Sequence, residues 1–309
     1  MTHHLVLGAG LIGSELTRQL LGAGDTVTVA SRSGTQLPRA TARALHANDE
    51  ASLRAAAGNA ATIFVCVNPA YAAWTAEWPP IFDAVTVAAQ YTGAKVVLMG
   101  NLYGHGRPTR PMTAHDALSP VESKGRVRAE GWNGLLAAHN RGDVRAVEVR
   151  ASDYFGPGAG PTAHLGRRFF RPLIDGKTAW CVGGPAQPHA WAYLPDIART
   201  LVAAAGAPEE HWGRAWLVDS HSYSRLEVAD QVAKLTGATG RVRSIPPLAL
   251  HAVGVLSPMA REVARSAYQF TSPFLVDASE TAQVLGVAAT PWATALEQTV
   301  AAYEGERRD

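Results

Sequence analysis

Runs of four to six apolar residues alternate with longer amphipathic segments through the first half of the chain: LVLG at 5–8, TVTVA at 26–30, TIFVCV at 62–67, KVVLMG at 95–100 and VRAVEVR at 144–150. Short apolar runs separated by helical patterns are the rhythm of βαβ units. The runs largely lack polar–apolar alternation, as strands covered by helices on both faces must. This predicts an α/β fold built on a Rossmann-like, doubly wound parallel sheet. After Arg150 the cadence gives way to the turn-rich stretch ASDYFGPGAGP and to shorter elements punctuated by Trp, Pro and Gly. A soft boundary near residue 155 is therefore expected, with 1–155 as the NAD(P)-binding domain and 156–309 as a smaller, irregular substrate-binding part packed beside the sheet's C-terminal edge.

Composition narrows the function classes. Of 309 residues, 47% are apolar and 17% charged, which excludes a disordered polyelectrolyte. Lys plus Arg number 28 against 26 Asp plus Glu, so the net charge of +2 leaves no footprint for nucleic acid or an anionic membrane. The two cysteines, Cys66 and Cys181, lie in apolar runs and are expected as buried free thiols, which suggests a reducing cytoplasm. The first strand begins almost at once, without a basic region and an apolar leader, and no stretch has the apolar length of a membrane span.

The segment Gly8-Ala9-Gly10-Leu11-Ile12-Gly13 lies between the strand HLVL and the helix LIGSELTRQLL, the context that gives a glycine fingerprint its meaning. Gly8 allows the tight turn, Gly10 lets backbone approach a pyrophosphate, Gly13 permits close helix–strand packing, and the helix N-terminus at Leu11 and Ile12 offers N–H groups to the anion. At the end of the second strand no acidic residue is present to bind the ribose hydroxyls of NAD. Ser31-Arg32-Ser33-Gly34 offers hydroxyls and a guanidinium suited to a 2′-phosphate, which favours NADP(H) over NAD(H). Asn48-Asp49, after the apolar stretch 44–46, has two readings: contact with the adenine amine, or for Asp49 a cap on the helix that starts at Glu50. Asn68-Pro69 after the fourth strand either borders the nicotinamide ribose or only forms a turn.

The order GAGLIG, SRSG, VCVNPA and VVLMGNLYGHG resembles the extended and atypical short-chain dehydrogenase/reductases, the NAD(P)-dependent epimerase/dehydratase group. Later segments add to the resemblance. Residues 150–157, RASDYFGP, look like that group's R-x-x-N-x-Y-G-P, and residues 192–198, AYLPDIA, look like its V-x-V-x-D-V-A. The resemblance implies a dinucleotide-binding sheet, a C-terminal part closing over the nicotinamide, and a homodimer through the helices ending near Gln90 and His139. It also implies chemistry through a Ser or Thr on the fifth strand and a Tyr-x-x-x-Lys pair on the next helix. Ser152 and Asp153 fall where the group's backbone passes the nicotinamide carboxamide.

The chain departs from that pattern at the reacting residues. Matching Tyr103-Gly104 to the group's Y-G puts Met99, a thioether, at the hydroxyl position, with Asn101 as the nearest replacement donor. On the following helix Lys124 takes the Tyr position and Arg128 the Lys position, and no Tyr occurs between Tyr103 and Tyr154. Ser119, Pro120 and Glu122 have the spacing of a cap, a first helical residue and a capping box. Lys124 and Arg128, one turn apart, share a face and repel each other, an arrangement that would suit an anionic ligand or, equally, a solvated basic face.

Tyr103 is either a substitute acid or a loop-anchoring residue, and Tyr154 also follows a strand end. His105, His115, His164 and His189 fall in loops and are acid–base or structural residues. No His or Cys spacing points to a metal, and no Gly-x-Ser-x-Gly supports acyl transfer. The reading is an NADP(H)-dependent oxidoreductase moving hydride between nicotinamide and a small carbonyl or alcohol. Lys124 donates the proton, Asn101 or Tyr103 assists, and Arg128 holds the cofactor ribose or phosphate. The alternative is a non-catalytic NADP(H)-binding redox sensor.

Overall fold

The computed structural model describes residues 1–160, 163–246 and 258–305; Pro161, the last residue of the turn-rich stretch ASDYFGPGAGP, lies outside them. Seven strands, β1 (His3–Leu7), β2 (Thr26–Ser31), β3 (Thr41–Ala44), β4 (Thr62–Val65), β5 (Lys95–Asn101), β6 (Ala146–Ala151) and β10 (Ala215–Leu217), form one sheet in the order β10-β6-β5-β4-β1-β2-β3. Every pairing in it is parallel. Successive residues of the strands point into different cores. Leu5, Leu7, Ile63, Val65, Val96 and Leu98 pack under α2 (Glu50–Ala57), α3 (Trp74–Thr92) and α4 (Ser123–Asn140). Val6, Val29, Phe64 and Val97 pack under α1 (Leu11–Gly22) and α6 (Leu194–Gly206). With both faces covered, the central runs of β1, β4 and β5 are unbroken by polar residues.

The helices present the matching stripes. In α1 the buried residues are Gly13, Leu16, Thr17, Leu20 and Leu21, the three- and four-residue spacing of one helix face. Against α3, α4 has no room for a side chain at Gly131, where a Cβ would stand 1.9 Å from the Phe82 ring.

Two local expectations are corrected. The third strand is not the apolar stretch 44–46 but Thr41–Ala44, largely exposed at the sheet edge, where half the pairing surface is solvent and apolar periodicity carries no signal. α4 starts at Ser123, and its N-cap is Glu122, whose carboxylate accepts from the N–H groups of Lys124 and Gly125. Ser119 instead donates its N–H to the carbonyl of Gly104, tying the preceding loop to the turn after β5. A local capping rule places the start at Pro120; this tertiary contact keeps Ser119 and Pro120 outside the helix.

Beyond residue 153, β7 (Tyr154–Phe155), β9 (His189–Tyr193) and β11 (His221–Tyr223) form a three-stranded sheet, and β8 (Thr178–Cys181) pairs with β12 (Arg241–Ser244). With α5 (Arg167–Ile174), α7 (Arg225–Thr236) and α10 (Trp292–Gly305) they enclose a third core around Phe155, Phe170, Trp191 and Tyr303. The later chain returns twice to the large sheet, through α6 on its face and β10 at its edge. Two more helices, α8 (Pro258–Ser266) and α9 (Ser279–Leu285), flank a segment that bridges His189 to Phe274 and Met112 to Val276. Those bridges hold residues 269–276 over the sheet's C-terminal edge.

Candidate active site

From β1 the chain proceeds to β2 and β3 on one side and to β4, β5 and β6 on the other, so the crevice beyond the ends of β1 and β4 is the switch point of the sheet. Two hollows meet there, sharing Gly10, Cys66, Val67 and Asn68 in their walls. The outer hollow is lined by Gly8, Gly10, Ser31, Arg32, Asn48, Asn68 and Pro69. The inner cavity, about 230 Å³, is lined by Gly10, Leu11, Ile12, Asn68, Asn101, Tyr103, Arg128, Ser152 and Asp153 together with residues not anticipated from sequence.

The glycines of the first turn divide their roles as the spacing suggests. Gly8 has φ +115°, and a Cβ there would lie 2.8 Å from the Cys66 backbone, while one at Gly13 would lie 1.9 Å from the Gly8 carbonyl. A Cβ at Gly10 would meet nothing within 4 Å. Gly8 and Gly13 thus serve packing, and Gly10 leaves the helix N-terminus open to an approaching anion. Buried polar atoms without a hydrogen-bond partner among the described residues include Arg128 Nε and Ser152 Oγ, both on residues that line the inner cavity. An extended groove with an open helix N-terminus at its centre and unsatisfied polar atoms at one end fits a dinucleotide. Asp49 is a correction: its carboxylate caps α2 through the Ser52 N–H at 3.1 Å and the Ser52 hydroxyl at 2.7 Å, and Asn48 alone of the pair lines the groove.

The residues expected at the reacting positions are all located. Met99 lines the cavity, and its carbonyl accepts from Arg128 Nη2. The Arg128 guanidinium lies 4.1 Å from the Trp78 ring centroid, and burial lowers its pKa to about 10, still a cation at neutral pH. Asn101 accepts from the Tyr103 N–H at 3.1 Å, which leaves its amide nitrogen as the available donor. The Tyr103 hydroxyl is 3.0 Å from that of Tyr71. Burial pushes Tyr71 up to about 12 and Tyr103 well above its ordinary value.

Lys124 is not among the residues lining the cavity. Its ammonium is buried between carboxylates, 3.0 Å from Glu122 and 2.8 Å from Glu262 of α8. Two carboxylates offset the expected repulsion with Arg128, and they occupy the ammonium that was expected to serve as proton donor. The Lys124 Nζ also lies 5.5 Å from the Tyr71 ring centroid.

Asp153 pairs with His189, Oδ2 to Nε2 at 2.9 Å, and the other ring nitrogen faces the Gln269 carbonyl at 3.3 Å. Burial opposes ionisation of Asp153, but His164, His189 and Arg225 outweigh it and hold the carboxyl at about 2. His164, close by, is lowered to about 4 by burial. His105 is buried beside Arg150, whose Nη1 is 3.2 Å from its Nε2, whereas His115 pairs with Glu280 at the surface. Both cysteines are free; Cys181 is buried, and Cys66 is half-buried with its thiol pushed up to about 12 by burial. Among the described residues no three His, Cys, Asp or Glu side chains gather to hold a metal, and no helix is long and apolar enough to cross a membrane.

Tyr71, Trp74, Trp78, Gln269 and Phe274 complete the cavity wall and escaped the sequence reading. Tyr71 follows Asn68-Pro69 closely, at the end of β4, so the rule that ligands bind beyond strand C-termini was signal enough to find it. Gln269 and Phe274 lie more than 100 residues from the nearest other wall residue, and no motif marks them.

The family model for the NAD dependent epimerase/dehydratase family matches residues 4–218. No curated protein is a significant match to the sequence. Among solved structures, UDP-glucose 4-epimerase from Thermotoga maritima, determined with UDP-glucose, superposes with a TM-score of 0.82 at 15% identity over 100% of both chains. The dTDP-glucose 4,6-dehydratase DesIV from Streptomyces venezuelae, with NAD bound, gives 0.79 at 18% identity over 99% of this chain and 98% of that one. An epimerase from Methanothermobacter thermautotrophicus gives 0.80 at 18% identity, covering 99% and 93%.

Proposed function

The chain belongs to the NAD dependent epimerase/dehydratase family, and from that premise we propose that it is an NADP(H)-dependent oxidoreductase acting on a small carbonyl or alcohol, with the Tyr103–Tyr71 hydroxyl pair as its proton donor. The pair is the observation that carries this reading. It stands in the inner cavity beside Asn101, where the two side chains form one hydrogen-bonded unit. Gly10 and the α1 N-terminus would receive the cofactor's pyrophosphate, Arg32 with Ser31 and Asn48 its adenosine end, and Arg128, Asn68 and Ser152 its nicotinamide end, and the cofactor so held would supply hydride at nicotinamide C4. Asn101 and the tyrosine pair orient the substrate oxygen. As negative charge develops there, Tyr103 gives up its proton and Tyr71 stabilises the phenolate; an alkoxide is the stronger base, so even a tyrosine with a raised pKa transfers downhill. Lys124, held by Glu122 and Glu262, acts as a positioning residue behind Tyr71.

The accompanying assignments are a reducing cytoplasm, supported by the two free cysteines, and a homodimer through the outer faces of α3 and α4. A panel of carbonyl compounds assayed for NADPH oxidation tests the main reading: Tyr103→Phe is expected to lower turnover at least about tenfold. Met99 at the hydroxyl position and the sequestered Lys124 favour a second reading, a cofactor-binding redox sensor. Tight NADPH binding with no turnover of any carbonyl would select it.

A further inference from the structure

We infer that Asp153 determines substrate specificity, selecting a small, uncharged, hydroxyl-bearing carbonyl compound and excluding substrates that carry phosphate groups. The inference rests on the oxidoreductase reading for the word substrate, and on the following geometry for its content. Asp153 lines the inner cavity with its side chain 18% exposed. His189 occupies Oδ2, so Oδ1 remains an acceptor without a described protein partner. The carboxylate belongs to a residue that lines the same cavity as Tyr71 and Tyr103.

The charges around it decide what it can accept. Arg128 is the one cation among the described residues of the cavity wall; its Nη2 donates to the Met99 carbonyl, its guanidinium lies against the Trp78 face, and its unpartnered Nε is the donor assigned to the nicotinamide end of the cofactor. A phosphate placed beside Asp153 would meet a like charge in a partly dry pocket, a repulsion that discriminates more sharply than any added attraction. A cationic substrate is disfavoured as well, since the Arg225 guanidinium already acts on the same carboxylate and His189 is hydrogen-bonded to it. An uncharged hydroxyl donates to Oδ1 without either penalty. The matching segment of the family resemblance has Asn at this position, and an amide can donate to an anion whereas a carboxylate can only accept. Tyr71, Trp74, Tyr154 and Phe274 line the cavity of about 230 Å³, which the substrate shares with the nicotinamide end of the cofactor, and this favours a small compound.

The test uses the full chain saturated with NADP⁺ and three probes of matched skeleton: dihydroxyacetone, dihydroxyacetone phosphate and aminoacetone, titrated by quenching of tryptophan fluorescence. Dihydroxyacetone should bind at least about tenfold more tightly than either of the others. Asp153→Asn should close or reverse the gap between dihydroxyacetone and its phosphate while NADP⁺ affinity is retained. Should the variant fail to fold, the ranking in the wild-type protein decides alone. Equal or tighter binding of the phosphate or of aminoacetone, no measurable binding of dihydroxyacetone, or an unchanged ratio in a folded Asp153→Asn protein would overturn the inference. Selective binding without NADPH-driven reduction would instead reject the oxidoreductase reading and leave the selectivity standing.

Discussion

The phenolic oxygens of Tyr71 and Tyr103 lie 3.0 Å apart, joining the loop after β4 to the loop after β5 across the wall of the inner cavity. Each hydroxyl has one hydrogen, so one of them donates within the pair and the other keeps its hydrogen for a ligand. Burial raises both pKa values, Tyr71 to about 12, so the pair stays protonated throughout the neutral range.

Two kinetic outcomes follow from that coupling. Tyr71→Phe and Tyr103→Phe should each lower carbonyl reduction at least about tenfold, and the double variant should be little worse than the more damaged single one, because groups acting as a unit are not additive. Between pH 6 and 9 the pair should contribute no titration to the rate. Additive losses, or a tyrosine-dependent limb in that window, would sink the pair as donor.

Lys124→Met removes the cation between Glu122 and Glu262, both nearly buried, and leaves their carboxylates facing each other. Breaking a buried pair in this way destabilises by about 3–5 kcal/mol. Urea unfolding should show that loss, while NADPH affinity of the folded protein is retained. An unaltered unfolding midpoint combined with lost turnover would return the proton-donor role to Lys124.

Arg32 is exposed at the mouth of the outer hollow, and no ion pair involves it among the described residues. Arg32→Ala should weaken NADP⁺ by roughly 1.5–3 kcal/mol, as for a charge-assisted hydrogen bond, and NAD⁺ by much less. Titration calorimetry with both cofactors measures the difference; equal losses would remove Arg32 as reader of a 2′-phosphate.

His105 gives a stability prediction. Burial, aided by the Arg150 charge, lowers its pKa from 6.5 to about 4. Between those values the unfolded chain binds the proton and the folded chain does not, so the contribution of neutral His105 is full above about 6.5 and is lost as pH falls toward about 4. The size is roughly 3 kcal/mol. Denaturant unfolding at pH 7 and pH 4.5 should show a smaller acid loss in His105→Gln than in the wild-type protein; identical slopes would contradict a buried neutral imidazole.

The central sheet and the glycine turn were legible because both are local. The central residues of β1, β4 and β5 (5–7, 63–65 and 96–98) are apolar, α1 repeats at helical spacing, and Gly8, Gly10 and Gly13 differ in what a Cβ would meet at each. β3 was misplaced because an exposed edge strand carries no such pattern. The start of α4 was misread because the choice between Ser119 and Glu122 is made by the contact of Ser119 with Gly104.

The sequence by itself determined the parallel sheet and the glycine turn, since each depends on periodicity or spacing within a few residues; the family resemblance added the expectation that Met99 and Lys124 stand at the Ser and Tyr positions. Only the tertiary structure decided what surrounds those two side chains. Glu262 approaches Lys124 from 138 positions along the chain, and His189 approaches Asp153 from 36. The protonation and availability of a buried side chain depend on which charges surround it, and those charges arrive from distant segments. Lys124 was therefore readable as a residue but not as a partner already taken, and Asp153 became a site residue in its own right once its single engaged oxygen was seen.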